Sequence, residues 1–151
     1  MISGMADHTL HIPAEADNQA KIRQFVREAA AALGADPQTI CSLELATDEA
    51  ACNVITHGYR GRAGMIDVEV ERDRDVLIIR LRDLAPPFDP TRVPDPDLTV
   101  PPQERRLGGM GIYLIRQSVD EVLYRATPEG GNELTLRKRL NKEQDDGHCH
   151  V

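Results

Sequence analysis

The apolar residues of this 151-residue chain change their spacing near position 65, and this change constrains the fold more than any other feature. Earlier in the chain, apolar residues recur at helical spacing, as in the run from Ile22 to Leu33. Beyond position 65, Ile66, Val68 and Val70 alternate with acidic residues, which is typical of a strand with one solvated face. Helices followed by hairpins predict an α+β architecture.

The predicted order of elements is strand, two helices, hairpin, long loop, short helix and hairpin. The first strand is His8–Pro13. The second helix begins at Asp36 and Pro37, a favourable cap followed by a favourable first position, runs to about His57 and stops at Gly58. Because neighbouring strands are joined by tight turns, we expect a largely antiparallel sheet with helices on one face, a two-layer sandwich. The remaining elements are predicted at residues 66–71, 76–81, 112–119, 122–126 and 133–140.

Charge and hydropathy argue against nucleic acids and membranes as partners. The formal net charge of −7 argues against direct binding of nucleic acid, which needs a basic face. The chain has no apolar run near the roughly 20 residues that span a bilayer, and its start lacks a secretory signal pattern. We therefore expect a cytoplasmic protein without membrane contact, with one domain over residues 1–140 and a flexible tail over residues 141–151.

Glu49 and Asn53 form the first candidate site. They lie four residues apart on the second predicted helix, so they project from the same face. Carboxylate and carboxamide oxygens suit Mg²⁺, and a carboxylate near that metal could orient or deprotonate an attacking hydroxyl. The alternative interpretation is an ordinary polar pair on the surface of an amphipathic helix.

Asp83 is the second candidate, at the end of a hydrophobic strand. A carboxylate in that position can accept a hydrogen bond from an amino group such as that of adenine. The alternative is that Asp83 caps the turn that follows, as aspartate often does.

A glycine-rich turn, the third candidate, follows a proline-rich and charged loop at residues 85–107. Gly108, Gly109 and Gly111 precede or open a short helix, whose free N–H groups and partial positive charge can bind phosphate. The turn lacks the Lys-Ser/Thr of a Walker A sequence, and no strand precedes it as in a Rossmann fingerprint. A plain loop is the alternative.

These three motifs, in this order, resemble the ATPase superfamily of DNA gyrase, heat-shock chaperones, histidine kinases and mismatch-repair proteins over residues 8–140. The resemblance is closer to the small anti-sigma-factor serine kinases that act by partner switching. Glu49 and Asn53 match that family's Glu-x-x-x-Asn motif, which His57, Gly58 and Tyr59 follow as they often do in members. The resemblance implies a Bergerat-type α/β sandwich, with a mostly antiparallel mixed sheet and an ATP lid.

The resemblance also implies roles for individual residues. Glu49 is implied as catalytic base, Asn53 as Mg²⁺ ligand and Asp83 as the carboxylate that binds adenine. Ala85 stands where the family usually has glycine, and a methyl group there costs affinity or stability if the backbone needs positive φ or close contact with the base. The expected residues that bind ATP are Asn53, Asp83, Ala85, Arg105, Gly108, Gly109, Met110 and Gly111.

The function implied by the resemblance is a serine/threonine protein kinase that uses Mg-ATP. It would phosphorylate an anti-sigma-factor antagonist and sequester a sigma factor. Separately, the free edge of the first predicted strand and the apolar character of the first predicted helix favour a homodimer. A nucleotide-dependent binding module without turnover is the alternative, motivated by Ala85. A detached histidine-kinase domain is a poorer match, because the first predicted helix contains no histidine.

Overall fold

The computed structural model describes residues 8–101, 103 and 110–140, and five of its strands form one sheet in the order β1-β2-β3-β5-β4. All four neighbouring pairs are antiparallel. The predicted α+β class and the mostly antiparallel sheet are therefore confirmed, and no parallel pair occurs among these strands. The strands are β1 His8–Pro13, β2 Met65–Asp73, β3 Val76–Asp83, β4 Glu121–Ala126 and β5 Asn132–Arg139.

Three α-helices cover one face of the sheet: α1 Gln19–Ala32, α2 Pro37–Asn53 and α3 Met110–Ser118. The side chain of Asp36 caps α2 by accepting a hydrogen bond from the Thr39 N–H, as predicted from the Asp-Pro pair. Gly34, at φ 95°, lies beyond the end of α1. Within the described residues, no helix has the length and apolar character required to cross a bilayer.

The end of α2 differs from the prediction. Instead of stopping at Gly58, the helix continues as a π-helical segment, Val54–Tyr59, and ends where Arg60 adopts a left-handed conformation at φ 54°. A π-helical turn is wider than an α-helical turn and occurs frequently at functional sites. This segment directly follows Asn53, so the wider turn carries Gly58 and Tyr59 across to the end of β3.

The core lies between the helices and the inner face of the sheet. Inner residues of the central strands are fully buried, and small residues such as Ala46 and Ala50 let α2 approach the sheet closely. The buried set includes Ile22, Val26, Leu43, Ile66, Val68, Val70, Ile79, Leu81 and Leu136. The alternation of apolar and polar residues that predicted β2 therefore corresponds to one buried and one solvated face.

Ion pairs between neighbouring strands cover the outer face of the sheet. Arg82 pairs with Glu69 on one side and Glu133 on the other, and Arg80 pairs with Glu71. These ion pairs neutralise charged residues that alternate with the core residues along the strands.

Candidate functional site

A cavity of about 800 Å³ opens between the C-terminal part of α2 and the segment that follows β3. Its volume falls within the range of about 300–1,000 Å³ that is usual for small-molecule sites. Asn53 and Asp83 both line it, together with Ala85. The structure therefore brings the first two predicted motifs to the same cavity.

Asp83 and its neighbours form the part of the cavity that we call the Asp83 region, made of Asp83, Ala85, Tyr124 and Asn132. Asp83 is only 7% exposed. Its Oδ1 accepts hydrogen bonds from the Ala85 N–H at 2.9 Å and from Asn132 Nδ2 at 2.8 Å. Asp83 thus caps the following turn through one oxygen, while its Oδ2 has no hydrogen-bond partner among the described residues.

Burial controls the acidity of this carboxyl. Desolvation raises the pKa of Asp83, and the hydrogen bonds from Asn132 and Ala85 oppose that rise. The two bonds therefore favour the ionised form, which can act as an acceptor.

Ala85, the departure from the family pattern, is accommodated without backbone strain. Among the described residues other than glycine, only Arg60 and Arg74 have positive φ. The Ala85 side chain is 1% exposed and faces Gly58, where an added Cβ would lie 3.0 Å from the Ala85 Cβ. The anticipated cost of a residue forced to positive φ therefore does not arise, and the missing side chain of Gly58 leaves room for the methyl group.

Glu49, Asn53 and Gly111 form the second part of the site, which we call the Asn53 region. A Cβ built on Gly111 would lie 3.1 Å from Glu49 Oε1 and 3.6 Å from Asn53 Oδ1. The start of α3 therefore lies against the helical carboxylate and amide, although about 60 residues of sequence separate them. Met110 is the first residue of α3, whereas the predicted residues Arg105, Gly108 and Gly109 lie outside the described residues.

The polar side chains of the Asn53 region differ from that of Asp83 in their hydrogen bonding. Neither Glu49 nor Asn53 has a side-chain hydrogen bond to another described residue. Burial raises the pKa of Glu49, and the negative charge of Asp48 raises it further. Asp48 itself is held by α1, because its Oδ1 accepts from Arg23 Nη1 at 2.9 Å and Gln19 Nε2 at 3.2 Å.

Several residues of the site are given no role by the sequence analysis. Tyr59 donates its O–H to the Met65 carbonyl at 2.8 Å and accepts from the Leu84 N–H at 2.8 Å, which ties the π-helical segment to the end of β3. Gly131 packs so tightly that an added Cβ would lie 1.9 Å from the Asp83 carbonyl oxygen. The Gly130-Gly131 pair before β5 is the sequence signal for this close approach.

Positive charge also lines the cavity. Arg60 and Arg62 are among its lining residues. The Nε atoms of the two arginines donate to carbonyls of the π-helical segment, those of His57 at 3.3 Å and Tyr59 at 3.4 Å. The cavity wall is thus locally cationic in a chain with a net charge of −7.

The described part of the predicted lid is attached to the body of the domain. Phe88, Pro90 and Val93 line the cavity. Arg116 of α3 donates to Asp95 Oδ1 and to the Thr91 carbonyl, both at 2.8 Å. The first half of the loop therefore forms one wall of the cavity and is connected to the helix that begins at the Asn53 region.

Comparison with known proteins agrees with this architecture. Residues 12–138 match the family of histidine kinase-like ATPase domains. The chain is 30% identical over 142 residues to the serine-protein kinase RsbW of Listeria monocytogenes, covering 90% of this chain and 88% of the relative. It is 27% identical over 145 residues to the serine-protein kinase RsbW of Bacillus cereus, covering 92% and 89%.

A solved structure shows the same fold. It contains the RsbU and RsbW domains of a Mycobacterium tuberculosis protein, with a TM-score of 0.57 and 21% identity. The match covers 88% of this chain and 32% of that one. The family model, the curated relatives and the fold agree: the chain belongs to the histidine kinase-like ATPase family, among its RsbW-like members.

Proposed function

We propose that this protein is a serine/threonine protein kinase that transfers the γ-phosphoryl group of ATP to a hydroxyl of a small partner protein. The observation that carries the proposal is the meeting of Glu49, Asn53 and Gly111 beside the cavity that Asp83 also lines. One nucleotide could then contact a buried carboxylate with its base and the start of α3 with its phosphates.

Each region has a chemical role in this proposal. Asp83 accepts a hydrogen bond from the amino group of adenine, while Gly111 lets the phosphates approach the start of α3. Arg105, Gly108, Gly109 and Met110 complete the nucleotide site. Glu49 orients the incoming hydroxyl and accepts its proton, for which its raised pKa is better suited than that of an ordinary glutamate.

Mg²⁺ fits the donors of the Asn53 region. The amide oxygen of Asn53 is a hard ligand, and Mg²⁺ commonly uses one or two protein oxygens together with phosphate oxygens and water. When bound, the ion neutralises charge on the phosphates. Asn53 would hold it, and Glu49 would remain available to the hydroxyl.

The partners follow from the resemblance to anti-sigma-factor kinases. We propose an anti-sigma-factor antagonist as the phosphoryl acceptor and a sigma factor as the protein that is sequestered, in the cytoplasm and with a homodimer as the working form. Phosphorylation adds about −1.5 to −2 charges at neutral pH, which can eject the antagonist from a shared docking surface. Exchange of partners would then follow from mutually exclusive binding.

The test is phosphoryl transfer from radiolabelled Mg-ATP to the cognate antagonist by the wild type, Glu49→Gln and Glu28→Gln. Glu28 is an exposed glutamate on α1 and serves as the matched control. We expect labelling by the wild type and the control, and a loss on the order of 100-fold or more in Glu49→Gln with ATP binding retained. If the wild type binds ATP but the antagonist stays unlabelled, the result would contradict the proposal that this protein is a kinase.

The same set of variants separates a kinase from a binding switch. If Glu49→Gln still exchanges partners when ATP is added, the nucleotide acts by ordering the lid and not as a phosphoryl donor. Asn53→Ala should weaken both activities, because both use the nucleotide in its Mg²⁺-bound form.

A further inference from the structure

We propose that Asn132 is a positioning residue that orients Asp83 to accept an amino group, and that it thereby sets the preference for adenine over bases that carry a carbonyl there. The inference rests on the nucleotide site proposed above. It concerns a residue that the sequence motifs did not include.

The hydrogen bonds of Asn132 determine which way its amide points. Its Oδ1 accepts from the Phe88 N–H at 2.9 Å and from the Tyr124 O–H at 2.6 Å. Its Nδ2 donates to Asp83 Oδ1 at 2.8 Å and to the Ala85 carbonyl at 3.1 Å. A flipped amide would set an NH₂ group against the N–H of Phe88, so one orientation satisfies all these partners.

The backbone holds this amide beside Asp83. Asn132 is the first residue of β5 and is the direct partner of Asp83 in the antiparallel register. The preceding residue, Gly131, approaches the Asp83 carbonyl so closely that a side chain there has no room. Asn132 is therefore placed by two strands of the sheet, and its position does not depend on the loop.

The consequence falls on the carboxylate of Asp83. Since Oδ1 already accepts from Ala85 and Asn132, Oδ2 is the acceptor left without a partner among the described residues. An exocyclic amino group can donate to this oxygen. A carbonyl in its place would put two acceptors together in a largely buried site, which is unfavourable.

Asn132 also connects base recognition to the start of the lid. Through the Phe88 N–H and the Ala85 carbonyl it fixes the segment that leaves β3. Loss of its amide should therefore free both the Asp83 carboxylate and the wall that faces it. A residue with only a packing role would weaken all nucleotides equally, whereas a positioning residue changes the ratio between them.

The experiment measures dissociation constants for ATP and inosine triphosphate, which carries a carbonyl where adenine has its amino group. The proteins are the wild type, Asn132→Ala, Asn132→Asp and the control Asn18→Ala. Asn18 is also a nearly buried asparagine that bonds a backbone carbonyl, that of Pro13, but it does not line the cavity. Folding of each variant is checked by thermal melting.

We expect the wild type and Asn18→Ala to prefer ATP, and both Asn132 variants to lose about tenfold of that preference. Asn132→Asp keeps the shape of the side chain and replaces the donor by an acceptor, so it tests the inference if Asn132→Ala fails to fold. An unchanged ratio in a folded Asn132 variant overturns the inference and leaves the kinase proposal standing. A wild type that binds neither nucleotide removes both.

Discussion

The Asp83 region and the Asn53 region lie beside the same cavity but differ in how their polar groups are satisfied. In the Asp83 region, one asparagine makes hydrogen bonds to Asp83, Ala85, Phe88 and Tyr124. In the Asn53 region, the side chains of Glu49 and Asn53 make none to other described residues. The first region is organised before any ligand binds, whereas in the second the described part of the chain supplies no hydrogen-bond partner to either side chain.

This difference shows how one cavity can combine recognition of a base with groups that receive phosphates and a metal ion. A base is neutral and flat, so a fixed set of acceptors can recognise it at little cost in reorganisation. Phosphates and a metal ion bring charge, and the groups that receive them must not already be neutralised by partners within the protein. In Glu49, burial and the negative charge of Asp48 raise the pKa of the carboxylate.

The largest expected effect comes from breaking the organised region at its backbone. In Gly131→Ala, the added Cβ would lie 1.9 Å from the Asp83 carbonyl oxygen, so β3 and β5 must shift. We expect the free energy of unfolding to fall by about 1–3 kcal/mol and ATP binding to weaken, measured by denaturant melts and calorimetry.

Gly130→Ala is the control for that variant. Gly130 has φ 92° but no atom near an added Cβ, so it tests backbone strain without close approach. Both variants should lose stability, and Gly131→Ala alone should also lose ATP affinity. Equal ATP affinity in the two variants would show that the approach to Asp83 does not matter.

A smaller effect is expected where the π-helical segment meets β3. Tyr59→Phe removes the bond to the Met65 carbonyl and leaves the Leu84 N–H without its acceptor. We expect a loss of about 0.5–1.5 kcal/mol in unfolding free energy, measured by chemical denaturation, because Leu84 is largely exposed and water can replace the lost acceptor. Tyr113→Phe on α3 is the matched control, since the Tyr113 hydroxyl bonds to no other described residue, and a similar loss in both variants would argue against this role of Tyr59.

The smallest effect, and the one of opposite sign, is expected at Glu49. Its folded-state pKa is raised, so ionised Glu49 lowers the stability at pH above that pKa, and the penalty disappears as the pH falls below the unfolded value. Glu49→Gln should therefore melt at the same or a slightly higher temperature than the wild type near neutral pH. The difference should vanish near pH 4.

Thermal melts of Glu49→Gln and Glu28→Gln across this pH range would check the sign. A clearly lower melting temperature for Glu49→Gln at neutral pH would mean that the Glu49 carboxylate stabilises the fold. The contrast between the two regions would then be weaker than we describe.

Local signals in the sequence predicted much of this arrangement. The Asp36-Pro37 start of α2 and the four-residue spacing of Glu49 and Asn53 depend on neighbouring residues, so they could be interpreted directly. Boundaries of the strands and of α3 moved by one or two residues, as is usual for element ends. The predicted tail and the end of the lid lie outside the described residues and stay predictions.

What the sequence could not reveal depends on pairing between distant segments. Asn132 is a single polar residue at the start of a strand, and its importance follows from the register that sets it opposite Asp83. Gly58 was taken as a helix end, although the structure uses it inside a π-helical segment to admit the Ala85 methyl group. Neither role has a spacing that could be recognised in advance.

The central claim is that one nucleotide contacts both regions, and calorimetry of ATP and ADP with and without Mg²⁺ tests it most directly. The proteins are the wild type, Asn53→Ala and Asp83→Asn. We expect Asp83→Asn to weaken binding under all conditions, and Asn53→Ala to remove the gain in affinity that Mg²⁺ provides while Mg²⁺-free binding persists. Wild-type affinity in Asp83→Asn, or a Mg²⁺ gain that survives Asn53→Ala, would contradict the account.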